Sequence, residues 1–175
     1  MAQYLISNFA MPTTAAPSGV TTGTAIKTML QFKPSATLGA RIIAWGYSLD
    51  SSAAATSAKI ELIETGTVAA TVTAAVANDL VKYDAAALAG GDPTTNLIQV
   101  GTSATGYTSS AEGTVTASRL LDAPQFVTTG TTFAVTWSSQ LPLGREPFVQ
   151  VGNIARIRVT FGTAVNMYCW MLVEV

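Results

Sequence analysis

Histidine is absent from this 175-residue chain, and cysteine occurs once, at Cys169. The first absence removes Ser-His-Asp and Cys-His nucleophilic systems and the commonest transition-metal ligand. Together the two come close to excluding a zinc site. A lone cysteine cannot form an intrachain disulfide, and a chain of this length buries roughly 70% of its unfolded surface without one. Charge is also scarce, at 11% of residues against a typical share of about 25%. Nine basic and ten acidic side chains give a formal net charge of −1. The basic residues are scattered, apart from Arg156 and Arg158, so there is no stripe to release counterions from DNA or RNA. The uncharged stretch from Ala123 to Gly144 is rich in Thr, Ser, Gln and Pro, which excludes a membrane helix there. Met1 to Asn8 has neither a basic nor a long apolar region, so no signal peptide is expected. The chain is expected to be made in a cytosol and to stay soluble.

What is abundant is apolar and small. Nearly half of the residues (49%) are apolar, and Ala, Thr, Ser and Gly fill positions that Lys and Glu occupy in ordinary soluble domains. Such a surface suits packing against other subunits.

Strand patterns dominate from about residue 24 onward. Ile26, Thr28, Leu30 and Phe32 alternate with Lys27, Met29, Gln31 and Lys33, and Pro34 ends the run. Arg41 to Leu49 places Ile43, Trp45, Tyr47 and Leu49 on one face and Ile42, Ala44, Gly46 and Ser48 on the other. A small-residue loop from Asp50 leads to Lys59–Glu64, and the two strands read as a hairpin-like unit. Val68–Ala77, Asn96–Val100, Thr114–Leu121 and Thr131–Trp137 are further strand candidates, with Gly101–Gly113 as a connection. Ile154–Phe161 alternates, with Ile157, Val159 and Phe161 opposite Arg156, Arg158 and Thr160. The apolar run Asn166–Val175 reads as a strand buried on both faces. One short helix is expected near 78–89, capped by Asn78 and ended by Gly90-Gly91-Asp92-Pro93. The sum is an all-β fold, a β-sandwich of jelly-roll-like type with about 8–10 strands. Pro12, Pro17, Gly19 and Gly23 set residues 1–24 apart as an extended N-terminal arm ahead of a single domain, 25–175.

No catalytic, cofactor-binding or metal-binding residues emerge. Glu61 and Glu64 lie on opposite faces of one strand and read as solvated positions, not as a glycosidase pair. Asp79 and Asp84 flank the expected helix as caps. Asp92 alone does not make a calcium loop, and Gly101–Gly106 lacks the lysine and helix of a phosphate loop. No cofactor is expected, and the chain is not read as an enzyme. Arg156 and Arg158 share one strand face, towards water or a partner's acid. Trp45, Trp137 and Trp170 are expected in the core, where an exposed one would mark a contact. Cys169 reads as a small buried hydrophobe.

The runs Arg41–Asp50, Lys59–Glu64, Gly91–Asn96, Val100–Tyr107 and Arg156–Thr160 through Val175 resemble small β-sandwich head decoration, or cement, proteins of tailed bacteriophages, actinobacteriophage-like in particular. The resemblance extends from about Met1 to the C-terminus, and no family site motif exists to carry over. It implies a virion protein on the outside of a capsid, bound to the major capsid protein, forming a homo-oligomer with a trimer favoured, and made in the host cytoplasm. Residues 1–24 would then tether it to the capsid lattice. A tail-associated or fibre module recognising host surface carbohydrate has the same fold class. It would differ by exposing aromatic side chains in one patch.

Overall fold

Two antiparallel sheets face each other across one apolar core in the computed structural model, which describes residues 2–49, 56–83, 97–128, 135–140 and 144–175. In chain order the strands are β1 (Gln3–Ser7), β2 (Val20–Thr21), β3 (Lys27–Phe32), β4 (Ala40–Leu49), β5 (Thr56–Thr65), β6 (Thr71–Ala74), β7 (Leu80–Lys82), β8 (Gly106–Ala111), β9 (Ser118–Asp122), β10 (Gln125–Thr128), β11 (Val135–Gln140), β12 (Phe148–Val149), β13 (Ile154–Phe161) and β14 (Asn166–Glu174). The first sheet runs β11-β4-β14-β1-β7, with β12 also on β4 and β2 on β14. The second runs β10-β5-β13-β3-β8-β6, with β9 also on β5. The all-β sandwich expected from the sequence is the observed architecture.

Its core is built by alternation, since successive side chains of a strand point to opposite faces. Tyr4 and Ile6 of β1, Cys169, Met171 and Val173 of β14, and Trp45, Tyr47 and Leu49 of β4 are all buried. They meet Leu30 and Phe32, Ala58, Ile60 and Leu62, and Ala155, Ile157, Val159 and Phe161 from the second sheet. The Tyr47 ring stacks on Phe126 of β10, with centroids 5.9 Å apart.

Several expectations are corrected by this topology. The first residues are not an arm: β1 pairs with β14 on one side and β7 on the other, so it is an interior strand. Its contiguous Tyr-Leu-Ile hides the period of two. Strands β4 and β5 do not form a hairpin, because they belong to different sheets. The expected face of β4 is shifted at Ile43. A bulge opposite Leu172 and Val173 leaves Ile43 without a register partner, and Ile42 is fully buried instead. Such an extra residue reverses the alternation beyond it. A bulge in the β3–β13 ladder likewise turns Thr28 towards the Arg158 side.

Of the helix expected at 78–89, the described part is a single 3-10 turn, Ala77–Asp79, followed by strand β7. Leu80 fills the core and Val81 pairs with Leu5, so tertiary burial overrides local propensity. Residues 84–96, including Asp84 and Gly90–Pro93, lie outside the described residues. The connection expected at 101–113 contains β8, and residues 97–100 make only isolated bridges, Pro34 to Ile98 and Val100 to Thr105. Gly106 is required where β6 crosses β8: a Cβ there would sit 2.2 Å from the Thr73 carbonyl oxygen. Lastly, β14 is buried on one face only, its residues alternating between buried and half-exposed.

Candidate functional site

The outer faces of the two sheets differ in chemistry. On the second sheet the outward positions of β5 and β13 include Lys59, Glu61, Arg158 and Thr160, and Arg158 is ion-paired with Glu61 across the ladder. Part of this face is covered by the chain itself. Arg156, fully buried, donates to the carbonyls of Glu112 (3.0 Å) and Val68 and lies 3.6 Å from the Glu112 carboxylate. Its register partner Gln31 accepts from the Ala70 N–H (2.8 Å) and donates to the Ala104 carbonyl. Glu112 in turn accepts from the backbone N–H and hydroxyl of Thr28 and from the Ser109 hydroxyl. Burial pulls the Arg156 guanidinium below its ordinary pKa, and the Glu112 charge opposes that shift. The two arginines thus share a face, but Arg156 meets neither water nor a partner's acid. It fastens the covering segments to the sheet.

Of the carboxylates considered from sequence, Glu61, Glu64 and Asp79 are committed to structure, and Asp84 and Asp92 lie outside the described residues. Glu64 is buried rather than solvated. It accepts from Asn153 Nδ2 (2.9 Å) and pairs with Arg119 at one wall of a polar cleft of about 360 Å³. Glu61 pairs with Arg158 on the opposite face. Asp79, also buried, accepts from the N–H groups of Met11 (2.7 Å) and Val76 (3.0 Å). Among the described residues no three His, Cys, Asp or Glu side chains come together as a metal site. No helix among them is long and apolar enough to cross a membrane.

The outer face of the first sheet is different. Leu5 stands between Val81 and Leu172 in register, and Ser7 stands beside Trp170, which faces Gly46. Leu5, Val81, Trp170 and Leu172 are only half-buried, although nothing charged stands among them. At one end of this face a groove of about 320 Å³ is walled by Leu5, Ser7, Phe9, Tyr83, Tyr168 and Trp170. Phe9 meets Tyr168 edge-on with centroids 5.8 Å apart, and Tyr83 is 56% exposed.

Beside the groove stands the part of the expected arm that is not strand. Residues 9–19 leave the sheet at Asn8 and return at Val20, and both ends are held at Met167. Asn8 Nδ2 donates to the Met167 carbonyl at 3.0 Å, and Val20 is the register partner of Met167. The excursion closes on itself as an Ω-loop does. Met11 is tied to Asp79, and the Tyr168 hydroxyl donates to the Pro17 carbonyl.

Of the three tryptophans, Trp45 is in the core and Trp170 lies half-exposed on the groove wall. Trp137 faces Tyr47 in the ladder, and its side chain lies outside the described residues. Cys169 is buried, as expected, and burial raises its thiol well above the usual value. Sequence reasoning singled out only Cys169 and Trp170 among the groove residues. A signal was present: no charged residue precedes Lys27.

Compared with known protein families, curated proteins and solved structures, the chain matches none.

Proposed function

We propose that this chain is a structural virion protein, a capsid decoration or cement subunit that binds the outside of a phage head and stabilises it. The observation that carries the reading is the apolar patch on the outer face of the first sheet, where Leu5, Val81, Trp170 and Leu172 stay half-exposed; charge on this face stands at its end, where Glu174 meets Arg41 in register. A two-layer sandwich that works alone covers its outer faces with polar side chains; a contiguous apolar face is an association surface. The committed carboxylates and the sequence resemblance to head decoration proteins support the same reading. The partner would be the major capsid protein, and the place of action the capsid surface. Quantitative mass spectrometry and cryo-electron microscopy of intact particles test it. The expected result is hundreds of copies per particle on the outer shell, and absence from the head overturns the proposal.

A second reading, a tail-associated or fibre module that recognises surface carbohydrate, draws on one observation, the aromatic groove. Sugar rings stack on such side chains. Glycan-array binding by the isolated protein, with a few copies at the tail, would select it.

A further inference from the structure

We infer that residues 9–18 are a docking insertion, a preformed loop through which this subunit grips its protein partner on the particle shell. The inference rests on the reading of the chain as a capsid subunit, and it names the segment that makes the contact.

The sheet register reveals the insertion. Met167 of β14 faces Leu49 of β4 on one side and Val20 of β2 on the other, the side that β1 takes further along. β1 and β2 therefore lie end to end on one edge of β14. Ser7 stands opposite Trp170, and Val20 stands opposite Met167. Twelve residues separate these positions on the outer strand against two on β14, an excess of ten. Past the excursion the ladder resumes, with the Thr22 N–H donating to the Val165 carbonyl at 2.8 Å. Joining Asn8 directly to Gly19 would thus make β1 and β2 one continuous strand in register. A β-bulge inserts one residue and rarely more. Ten make a loop that the sheet does not use, and compact loops of this size are frequently functional.

The loop is held in shape while its outer side stays open. Asn8 is tied to the Met167 carbonyl, the Met11 N–H to Asp79 and the Pro17 carbonyl to the Tyr168 hydroxyl. Thr13 to Ser18 are nonetheless exposed. From Pro12 to Ser18 the Pro17 carbonyl is the one backbone group that is hydrogen-bonded among the described residues. The hydroxyls of Thr13, Thr14 and Ser18 likewise have no partner among them. Two prolines and the three anchors mean that little entropy is left to lose on binding.

These open groups select the class of partner. No lysine or arginine precedes Lys27, so the loop has nothing to neutralise phosphates. Its unpaired amides and carbonyls exclude immersion in lipid. No ring lies between Ala10 and Gly19 for a sugar to stack on. A protein surface remains, because it supplies donors and acceptors to an open backbone and apolar contact to Met11 and the prolines. Phe9 joins the loop to the apolar patch, since its ring lines both the aromatic groove and the recess under the loop. Loop and patch thereby form one surface, and a contact without charge is insensitive to salt.

The test is co-sedimentation of the intact protein with heads assembled without it, at about 0.05 and 0.5 M salt. Two variants accompany the wild type. One lacks Phe9–Ser18, and the other, Ala15→Asp/Ala16→Asp, puts charge on the exposed loop. Both are expected to keep the wild-type circular dichroism and to melt within a few degrees of it. The wild type is expected to bind with less than about a twofold change between the two salts. Each variant is expected to bind about tenfold or more weakly. Normal decoration by either variant overturns the inference, as does wild-type binding that salt abolishes. An excised protein that fails to fold overturns the in-register insertion, and the charged variant then decides the docking role. Wild type that ignores heads removes the proposed function, whereas wild type and variants that bind alike remove this inference alone.

Discussion

The Asn8 carboxamide stands in for a peptide group of Cys169's neighbour strand. Its Oδ1 accepts from the Cys169 N–H at 2.9 Å, and its Nδ2 donates to the Met167 carbonyl at 3.0 Å. The ladder between β1 and β14 continues through a side chain at the point where the backbone turns away. Both bonds are buried, so losing them leaves a donor and an acceptor without water. Asn8→Ala is expected to cost about 2–3 kcal/mol, within the range for orphaned buried groups. Urea unfolding measures it, and an unchanged midpoint would refute this role.

Glu112 holds Arg156 and three groups around β3 at once. Glu112→Ala leaves a buried guanidinium without its acid and is expected to destabilise the fold by about 3 kcal/mol. Arg156→Met with Glu112→Gln should cost less than the two single changes summed, because each single change strands the other partner. Equal, additive losses in a double-mutant cycle would show that the two residues act independently.

Thr108 has φ of 54°, the left-handed region that a β-branched residue rarely enters. Among the described residues its hydroxyl is buried without a hydrogen-bond partner. Thr108→Gly removes both penalties at some cost in unfolded-chain entropy. The net expectation is a gain of about 1 kcal/mol. A thermal melt reads it as a rise of several degrees, and a fall would argue against strain at this position.

Truncation separates the parts of the N-terminal region. Removing residues 1–7 takes an interior strand out of the first sheet, and no folded protein is expected by circular dichroism. Shortening the loop within residues 12–17 is expected to leave the melting temperature within a few degrees, since loop length costs little. If both versions fold alike, β1 is not part of the core.

Stability should fall in alkali. Burial raises the Cys169 thiol well above its ordinary 9.0, and burial with the Asp122 charge pushes the Tyr47 phenol from 10.0 up to about 12. Both groups have folded pKa values above their unfolded ones, so their contribution is complete below pH 9. It is lost as pH rises, because the unfolded chain ionises first. Urea midpoints should decline from pH 9 towards 12, and Tyr47→Phe should flatten the decline above pH 10. A flat profile in the wild type would contradict the assignment.

The fold class was legible because one period of two runs through β13 and most of β4, and no Pro interrupts either. Bulges defeated the finer reading: Ile43 and the β3 irregularity reverse alternation without any mark in the residues themselves. Strand β8 was hidden for another reason. Gly106 is there because β6 passes too close for a side chain, and small residues chosen for contact look like loop residues. The groove was the least readable part. Leu5 and Phe9, Tyr83, and Tyr168 come from three separate stretches, and only the sheet order brings them together. Arg156 misled because a buried arginine and a solvated one look alike until their carbonyl partners are located.

The pairing of β1 with β14 also sets a clock. Gln3 and Glu174, bonded to each other, are 171 positions apart. At roughly 5–20 residues per second of synthesis, Tyr4, Leu5 and Ile6 wait on the order of ten seconds or more for their partners to leave the ribosome. Until then the first sheet has a vacancy at its centre, and its apolar residues are open to anything that binds unfinished chains. Folding of this protein is therefore a late event, governed by the meeting of its two ends, and a high share of such distant pairings makes that meeting slow.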